Sequence, residues 1–379
     1  MAETKRVLIL AVRFGSGHWQ AALALKRALV QEHPGIEVEV VNYFKFAGSL
    51  LDIILRSVYQ DLMIRVPPIY RHFFQYTDRQ PQGSLFQKVM KTYGVPAFLL
   101  YIRRKKPDLI VSTYPVPAAV VSWLKQHGLI NCPLVTVITD YVLHKLWIQP
   151  GTDLYIAPNG LVAGDLVRQG VLPEQVAATG IPIDPPFMKK ADRLLPRLLP
   201  DLPEELQGLP LVLVMSGPNN FGGELSRICR MLIGLPVPHV AVVLGVRPRL
   251  RLNLRQAVRK GPNKVFIFGY SREVPMFMAA ASCLISKAGG ITCSEALAAE
   301  VPMIIYKALP CQEERNRDLL TREGAALSAQ NLAELGTLLC DVLRNEDLRL
   351  RMRDAAARLK HPDSASAAAQ LIAQHLFSS

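Results

Sequence analysis

The chain has 379 residues, of which 50% are hydrophobic and 20% charged. This length predicts two domains of ordinary size, and the composition excludes a disordered chain and a disulfide-stapled miniprotein. Forty-four basic residues against thirty-one acidic ones leave a net charge of +13, which indicates an acidic partner such as nucleic acid, an anionic membrane or a phosphorylated ligand.

Hydrophobic runs, the N-terminal sequence and the cysteines further limit the classes of protein to which the chain could belong. No run approaches the roughly 18 to 20 uninterrupted apolar residues of a membrane helix. The N-terminus lacks the apolar region and the cleavage site of a signal peptide, which predicts a cytoplasmic protein. Six cysteines form no CxxC pair and no Cys/His ligand spacing, so reduced thiols are favoured over a zinc site or disulfides.

Buried β-rich segments alternate with helix-length segments along the chain. The first series of strands is predicted over 6–12, 37–42, 109–112, 134–139 and 154–157. A proline-rich stretch from Pro185 to Pro210 then predicts a domain boundary. The second series is predicted over 211–216, 239–244, 265–268, 283–286 and 303–306.

This alternation is typical of an α/β fold with parallel sheets. We therefore predict two Rossmann-like α/β domains, over residues 1–185 and 186–379, with the terminal helix able to pack back on the first domain. Ligands of such sheets bind beyond the carboxyl ends of the strands, so the loops that follow the strands are where chemistry is expected.

Residues 43 to 106 differ from the rest in composition. They hold twelve aromatic residues, and eleven basic residues against three acidic ones, a local charge of 11 − 3 = +8. From composition alone, these aromatics could equally form the core of a helical subdomain.

The first predicted strand runs into the segment from Phe14 to His18. Its glycines allow backbone amides at a helix N-terminus to approach an anion closely. A dinucleotide fingerprint needs a third glycine three residues after Gly17, where Gln20 stands, so NAD binding is disfavoured. His18 lies where an imidazole could accept a proton from an acceptor hydroxyl. A structural role as a helix-capping histidine is the alternative.

Polar residues also follow the strand predicted over 134–139. Asp140 at its end could orient or stabilise a catalytic base, and His144 one turn later could act similarly. A loop carboxylate that caps a helix is the competing interpretation of Asp140.

Three strand-to-helix loops in the second half suit a nucleotide sugar. Residues 286–292 have the glycines of a diphosphate loop, and Glu295 could accept both hydroxyls of a ribose. A Walker ending is absent, so ATP hydrolysis loses support. Residues 215–223 contain further glycines. Residues 310–316 contain amide and carboxylate groups that could bind sugar hydroxyls. An ordinary polar helix N-terminus is the alternative interpretation of residues 310–316.

Together these motifs resemble the lipid-modifying branch of glycosyltransferase family 28, which includes the processive diacylglycerol β-glucosyltransferases and the monogalactosyldiacylglycerol synthases. The resemblance covers nearly the whole chain. It is carried by Gly15-Ser16-Gly17-His18, Pro107-Asp108, Ser112 to Pro115, Thr139-Asp140 with His144 and Trp147, Thr179 to Pro182, Lys287 to Thr292 with Glu295, and Gln312-Glu313 with Asn316.

The resemblance implies a GT-B fold in which two domains face an interdomain cleft, the first for a lipid acceptor and the second for a UDP-sugar. His18 and Asp140 become the expected catalytic residues. The acceptor side is expected to include Gly15, Gly17, Trp19, Tyr114, His144 and Trp147. The UDP-sugar side is expected to include Gly217, Asn219, Tyr270, Ser271, Lys287, Gly289, Gly290, Thr292, Glu295, Gln312, Glu313 and Asn316.

The implied reaction is inverting transfer of a hexose from UDP-glucose or UDP-galactose to 1,2-diacylglycerol. No DxD pair of acids occurs in the motifs, so we expect no metal and no cofactor. Anionic membrane lipids are expected to bind Arg103, Arg104, Lys105 and Lys106 at the cytoplasmic face of the cell membrane. The absence of known nucleic-acid signatures disfavours a nucleic-acid partner.

Three alternatives stay open on the sequence. The chain could be a UDP-GlcNAc transferase to a polyprenyl-linked cell-wall precursor, a UDP-sugar 2-epimerase, or a UDP-sugar-sensing protein. The sequence does not choose between glucose and galactose, and it leaves the number of sugars added, the acyl-chain preference and the oligomeric state undetermined.

Overall fold

A computed structural model describes residues 4–13, 17–47, 68, 71–72, 76, 78, 94–184, 198–200, 202–217, 220–257 and 261–377. Contacts divide the chain into two compact units. The first unit contains Met1–Asp184 together with Asp363–Ser379, and the second contains Pro185–Pro362. Each unit is a parallel sheet flanked by helices, so the predicted α/β class is confirmed.

The first unit is built on six parallel strands in the order β2-β1-β3-β4-β5-β6. The strands are β1 (Lys5–Ala11), β2 (Ile36–Asn42), β3 (Leu109–Ser112), β4 (Leu134–Val137), β5 (Leu154–Ala157) and β6 (Val176–Ala178). The helices described between them are α1 (Gly17–Glu32), α2 (Val95–Lys105), α3 (Pro115–Gln126) and α4 (Gly160–Arg168). All residues of β3, β4 and β5 are buried, as expected of strands covered on both faces.

The second unit has six parallel strands in the order β12-β11-β10-β7-β8-β9. They are β7 (Leu211–Met215), β8 (Val240–Leu244), β9 (Lys264–Ile267), β10 (Ala281–Ser286), β11 (Met303–Tyr306) and β12 (Ala326–Ala329). Its helices are α5 (Leu225–Gly234), α6 (Pro248–Ala257), α7 (Val274–Ala280), α8 (Gly290–Ala298), α9 (Gln312–Arg322), α10 (Leu332–Arg344) and α11 (Glu346–Leu359).

Two strands were not predicted from the sequence, and both lie at a sheet edge. β6 reads Val-Ala-Ala and β12 reads Ala-Leu-Ser-Ala, so neither has the run of large β-branched residues that marks the other strands. Their extended conformation depends on pairing, since β6 aligns with β5 from Tyr155 to Ala157 and β12 aligns with β11 along its whole length. Such context-dependent strands give little local signal.

The last helix, α12 (Ser364–Phe377), belongs to the first unit. It packs against α1 and the sheet through a buried face of mostly small residues: Ala365, Ala368, Ala369, Ile372, Ala373 and Leu376. The Ile183 amide donates to the Ser364 hydroxyl at 3.3 Å, which ties the start of this helix to the end of the first stretch of chain. No helix among the described residues is long and apolar enough to cross a bilayer.

We predict that Ile372→Ala lowers the free energy of unfolding by about 2 to 5 kcal/mol, because Ile372 is fully buried between α12 and α1 and the truncation leaves a cavity. Chemical denaturation of the full chain measures this. Gln370→Ala on the exposed side of the same helix is the control, with an expected change within about 0.5 kcal/mol. Equal effects of the two substitutions would show that α12 does not depend on this packing.

Candidate active site

His18 lies in the first turn of α1, directly after the carboxyl edge of the first sheet. Its backbone carbonyl accepts a hydrogen bond from the Thr113 hydroxyl at 3.0 Å. Thr113 follows β3, and its amide donates to the Leu10 carbonyl in β1 at 3.0 Å. The helix start is therefore fastened to two central strands, which holds His18 in place at this edge.

The imidazole ring of His18 is held by one residue that follows β4 and one that follows β3. Its Nδ1 lies 2.7 Å from the Thr139 hydroxyl oxygen, beyond β4. The Tyr114 ring packs edge-on against it, with centroids 4.9 Å apart and an interplanar angle of 71°. When Nδ1 carries the proton, the ring donates to Thr139 and Nε2 keeps its lone pair. This is the tautomer that a general base needs.

Burial lowers the pKa of His18 to about 4, and a hydrogen bond with the Thr113 backbone only partly opposes this. Desolvation disfavours the charged imidazolium, so the ring is neutral at physiological pH. A neutral imidazole can accept a proton, which makes the arrangement suited to proton abstraction.

Thr139 is a functional candidate that sequence reasoning missed, because we assigned the orienting role to the neighbouring Asp140. Thr139 is 3% exposed and makes the contact to the ring. Asp140 is half-buried beside it and stays a predicted catalytic residue. The signal that could have found Thr139 is its position at the carboxyl end of a strand in the same parallel sheet as the strand that precedes the His18 helix.

His144 and Trp147 shape the loop that follows Asp140. His144 is buried and its Nδ1 accepts from the Leu146 amide at 3.1 Å, which caps a short helical turn. Its Nε2 lies 3.8 Å from an Asp78 carboxylate oxygen. Trp147 is 1% exposed within a hydrophobic cluster. In the described structure both residues therefore stabilise the loop.

Gly17 begins α1, and Trp19 is half-buried in its first turn. The Arg13 guanidinium lies over the Trp19 ring at 4.3 Å from its centroid. Gly15, also predicted for this side, lies outside the described residues.

In the second unit, the loops after β7, β10 and β11 meet, because these three strands are neighbours in the sheet. Lys287 follows β10 and is 9% exposed, so its side chain is buried. A Cβ placed on Gly217, after β7, would lie 3.7 Å from the Lys287 ammonium nitrogen. Gly217 has φ +60°, a conformation that favours glycine.

Glu313, after β11, is the acidic partner of this site. One of its carboxylate oxygens accepts from the Leu309 amide at 2.7 Å, and a Cβ on Gly289 would meet the other at 4.0 Å. Burial raises the pKa of Glu313, while Lys287 and the Leu309 amide oppose the shift. Burial likewise lowers the pKa of Lys287, opposed by Glu313. The Lys287 ammonium and the Glu313 carboxylate thus lie near each other in a partly dehydrated site.

Asn316 joins the second and third loops. Its side chain is fully buried, and its amide nitrogen donates to the Ala288 carbonyl at 2.9 Å. Gly290 begins α8 directly after this loop, and Thr292 and Glu295 follow half-buried in the same helix. Gln312, half-buried, begins α9. The structure therefore brings Gly217, residues 287–295 and residues 312–316 to one edge of the sheet.

A second anchor, Tyr306, did not stand out in the sequence. Its ring is buried at the end of β11, and its hydroxyl donates to a Glu224 carboxylate oxygen just before α5. Lys307 and Arg227 lie 3.7 and 3.3 Å from the same carboxylate. This contact anchors the far end of the loop after β7 to β11.

Two predicted residues lie at the far side of this sheet. Tyr270 and Ser271 follow β9, the edge strand three positions from β10. Tyr270 is 78% exposed, and the Ser271 hydroxyl accepts from the Glu273 amide at 3.0 Å, ahead of α7. Asn219 lies outside the described residues.

The basic residues predicted to bind lipid are exposed at the end of α2: Arg103, Arg104, Lys105 and Lys106. Lys105 pairs with Glu39 at 2.7 Å, and its carbonyl accepts from the Arg6 side chain at the start of β1. These residues therefore lie at the amino edge of the sheet, the edge opposite to His18. A bilayer that contacts them would touch the end of this unit remote from His18.

Comparison with known proteins identifies both halves of the chain. A family model described as monogalactosyldiacylglycerol (MGDG) synthase matches residues 18–183, and one described as the glycosyltransferase family 28 C-terminal domain matches residues 235–369. The predicted resemblance to glycosyltransferase family 28 is thereby confirmed, and the chain is a glycosyltransferase.

The relatives align with nearly the whole length of this chain. A processive diacylglycerol β-glucosyltransferase of Bacillus cereus is 29% identical over 366 residues, covering 96% of this chain and 92% of the relative. MurG of Acinetobacter baumannii has a TM-score of 0.64 at 15% identity, covering 98% and 99%. Anabaena HepE in complex with UDP-glucose has a TM-score of 0.57 at 15% identity, covering 99% and 100%. The GT-B fold is therefore confirmed.

The described residues contain no group of three or more His, Cys, Asp or Glu side chains placed to hold a metal ion. The charged groups gathered in the second unit are instead the Lys287 ammonium and the Glu313 carboxylate.

Cys311 precedes α9 with φ +71° and ψ −89°, a conformation in which a Cβ is strained. Such strain costs about 1 to 3 kcal/mol. The greater freedom of glycine in the unfolded chain offsets about 0.5 to 1 kcal/mol of the gain. The Cys311 side chain is also buried and caps the start of α9, and both Gly and Ala lose this contact. We therefore predict that Cys311→Gly exceeds Cys311→Ala in free energy of unfolding by about 1 kcal/mol, measured by chemical denaturation.

Cys311→Ala is the control, because it removes the thiol and keeps the Cβ. It should not be more stable than the wild type. A gain of equal size in both variants would show that the thiol, and not the backbone, is the unfavourable feature.

Proposed function

We propose that this glycosyltransferase transfers a hexose from a UDP-sugar to the hydroxyl of 1,2-diacylglycerol with inversion at the anomeric carbon. The observation that carries the proposal is the neutral, half-buried His18 held by Thr139 in a chain whose relatives are diacylglycerol β-glucosyltransferases. UDP-glucose is the donor that we favour, since it agrees with the names of these relatives and with the UDP-glucose complex of HepE.

In the proposed reaction, His18 Nε2 accepts the proton of the diacylglycerol hydroxyl. The hydroxyl oxygen then bonds to the anomeric carbon while the bond from that carbon to the UDP oxygen breaks. Attack from the face opposite UDP converts an α-linked donor to a β-linked glycolipid. A well-placed base of this kind contributes typically about 10² to 10⁴ in rate.

The second unit has groups suited to the departing diphosphate. The Lys287 ammonium is buried beside the glycine turn at Gly217, and Glu313 opposes the loss of its charge. Amides at the start of α8 add partial positive charge at the same edge. Fixed donors in a poorly hydrated site stabilise the developing negative charge without solvent reorganisation.

We further propose that the protein works as a peripheral protein at the cytoplasmic face of the membrane, because the acyl chains of its acceptor stay in the bilayer. The exposed basic end of α2 supports contact with anionic lipids. Its place at the amino edge means that this contact serves attachment and does not by itself deliver the acceptor to His18.

The first test is transfer of labelled sugar from UDP-glucose, and separately from UDP-galactose, into diacylglycerol in anionic liposomes with a chelator present. We expect a β-linked lipid product with UDP-glucose, and loss of at least about a hundredfold in rate for His18→Gln. No lipid product from either donor would contradict the proposal and direct the assay to UDP-GlcNAc with polyprenyl acceptors.

The pH dependence tests His18 as the base. Its pKa of about 4 means that the base stays neutral as pH falls from 8 to 5, so kcat/KM should vary little over this range. A base with an ordinary histidine pKa of about 6.5 would instead lose most of its activity between pH 7 and pH 5. Such a loss in the wild type would contradict the assignment.

Thr139 is tested with an isosteric pair of variants. Thr139→Val removes the hydroxyl that orients the imidazole, so we expect kcat to fall about tenfold with KM little changed, a part of the contribution of the base itself. Thr139→Ser keeps the hydroxyl and should retain most of the activity. If both variants behave alike, Thr139 acts through packing and not as a positioning residue.

A further inference from the structure

One helix of the second unit exposes a leucine at the centre of its solvent-facing side. In α6, Leu254 is 1% exposed and Leu250 packs against the same core. Leu252 lies midway between them and is 66% exposed. Since residues four apart share a face of a helix, a residue two positions from each points away from the core.

The sequence around this leucine is strongly basic. The 48 residues from Leu225 to Arg272 hold ten Lys or Arg and no Asp or Glu. Arg249 is exposed one turn before Leu252. In the part of the chain that the structure describes, neither Arg249 nor Arg251 pairs with a carboxylate. These charges are therefore available to an anionic partner.

We propose that the solvent-facing side of α6 is a contact surface for an anionic lipid bilayer. Leu252 enters the interfacial region, and Arg249 and Arg251 bind lipid phosphates. An exposed leucine flanked by unpaired arginines is the arrangement of helices that lie in the plane of a membrane surface. The choice of a bilayer rests on the proposed function, since its acceptor is a membrane lipid.

The same unit offers a helix that does not fit this description and serves as a matched control. In α11, Leu350 is 47% exposed and is followed by the exposed Arg351. The same helix, however, carries the acidic residues Glu346, Asp347 and Asp354. These three acids nearly offset the four arginines of the helix, which weakens the attraction to an anionic surface, so this leucine and arginine should contribute little to binding.

The experiment is flotation of the full-length protein with vesicles of phosphatidylglycerol and phosphatidylcholine, in the absence of any sugar donor. We expect the double variant Leu252→Gln with Arg249→Glu to bind at least about tenfold more weakly than the wild type. The double variant Leu350→Gln with Arg351→Glu should bind like the wild type. Thermal melting of each variant verifies that it is folded.

The single variants identify the partner. Leu252→Gln and Arg249→Glu should each weaken vesicle binding, because a bilayer offers both an apolar interior and phosphate. If only Arg249→Glu has an effect, or if it weakens binding to duplex DNA and not to vesicles, the surface binds free anions or nucleic acid and the proposal is overturned. Equal effects of the α6 and α11 double variants overturn it as well.

Binding and transfer are measured separately, so their failures are distinguishable. Loss of vesicle binding in the α6 variants supports the surface even if no sugar is transferred. Glycolipid synthesis by a wild type whose vesicle binding does not depend on α6 supports the proposed function and overturns the surface.

Discussion

The arrangement of the candidate site depends on the direction of the strands. Every pairing in both sheets is parallel, so each loop that leaves a carboxyl end emerges at the same edge. In the first unit this brings α1, Thr113 and Thr139 together around His18, although 121 residues separate His18 from Thr139. In the second unit it places Gly217, Lys287 and the loop after β11 side by side. The candidate functional side chains lie at these edges because helices cover both faces of each sheet.

Burial then determines how the collected groups ionise. The imidazole of His18 loses most of its hydration, which lowers its pKa to about 4 and keeps it neutral. Burial lowers the pKa of Lys287 and raises the pKa of Glu313, and the charge of each group limits the shift of the other. A base that is neutral and a cation held beside a glycine turn are the two halves that an inverting transfer from a nucleotide diphosphate needs.

The positive charges behind the net charge of +13 are not evenly distributed over the two units. In the first unit, the basic end of α2 lies at the amino edge, away from His18. In the second unit, basic residues surround an exposed leucine on α6.

The sequence by itself determined the class of fold, the family and ten of the twelve strands, because long buried β-rich runs and glycine loops are local signals. Only the tertiary structure decided which residues touch. Thr139 lies within hydrogen-bond distance of His18, Lys287 is buried, and β6 and β12 are strands. The reason is that hydrogen bonds between strands, and the loss of hydration that shifts a pKa, depend on neighbours distant along the chain.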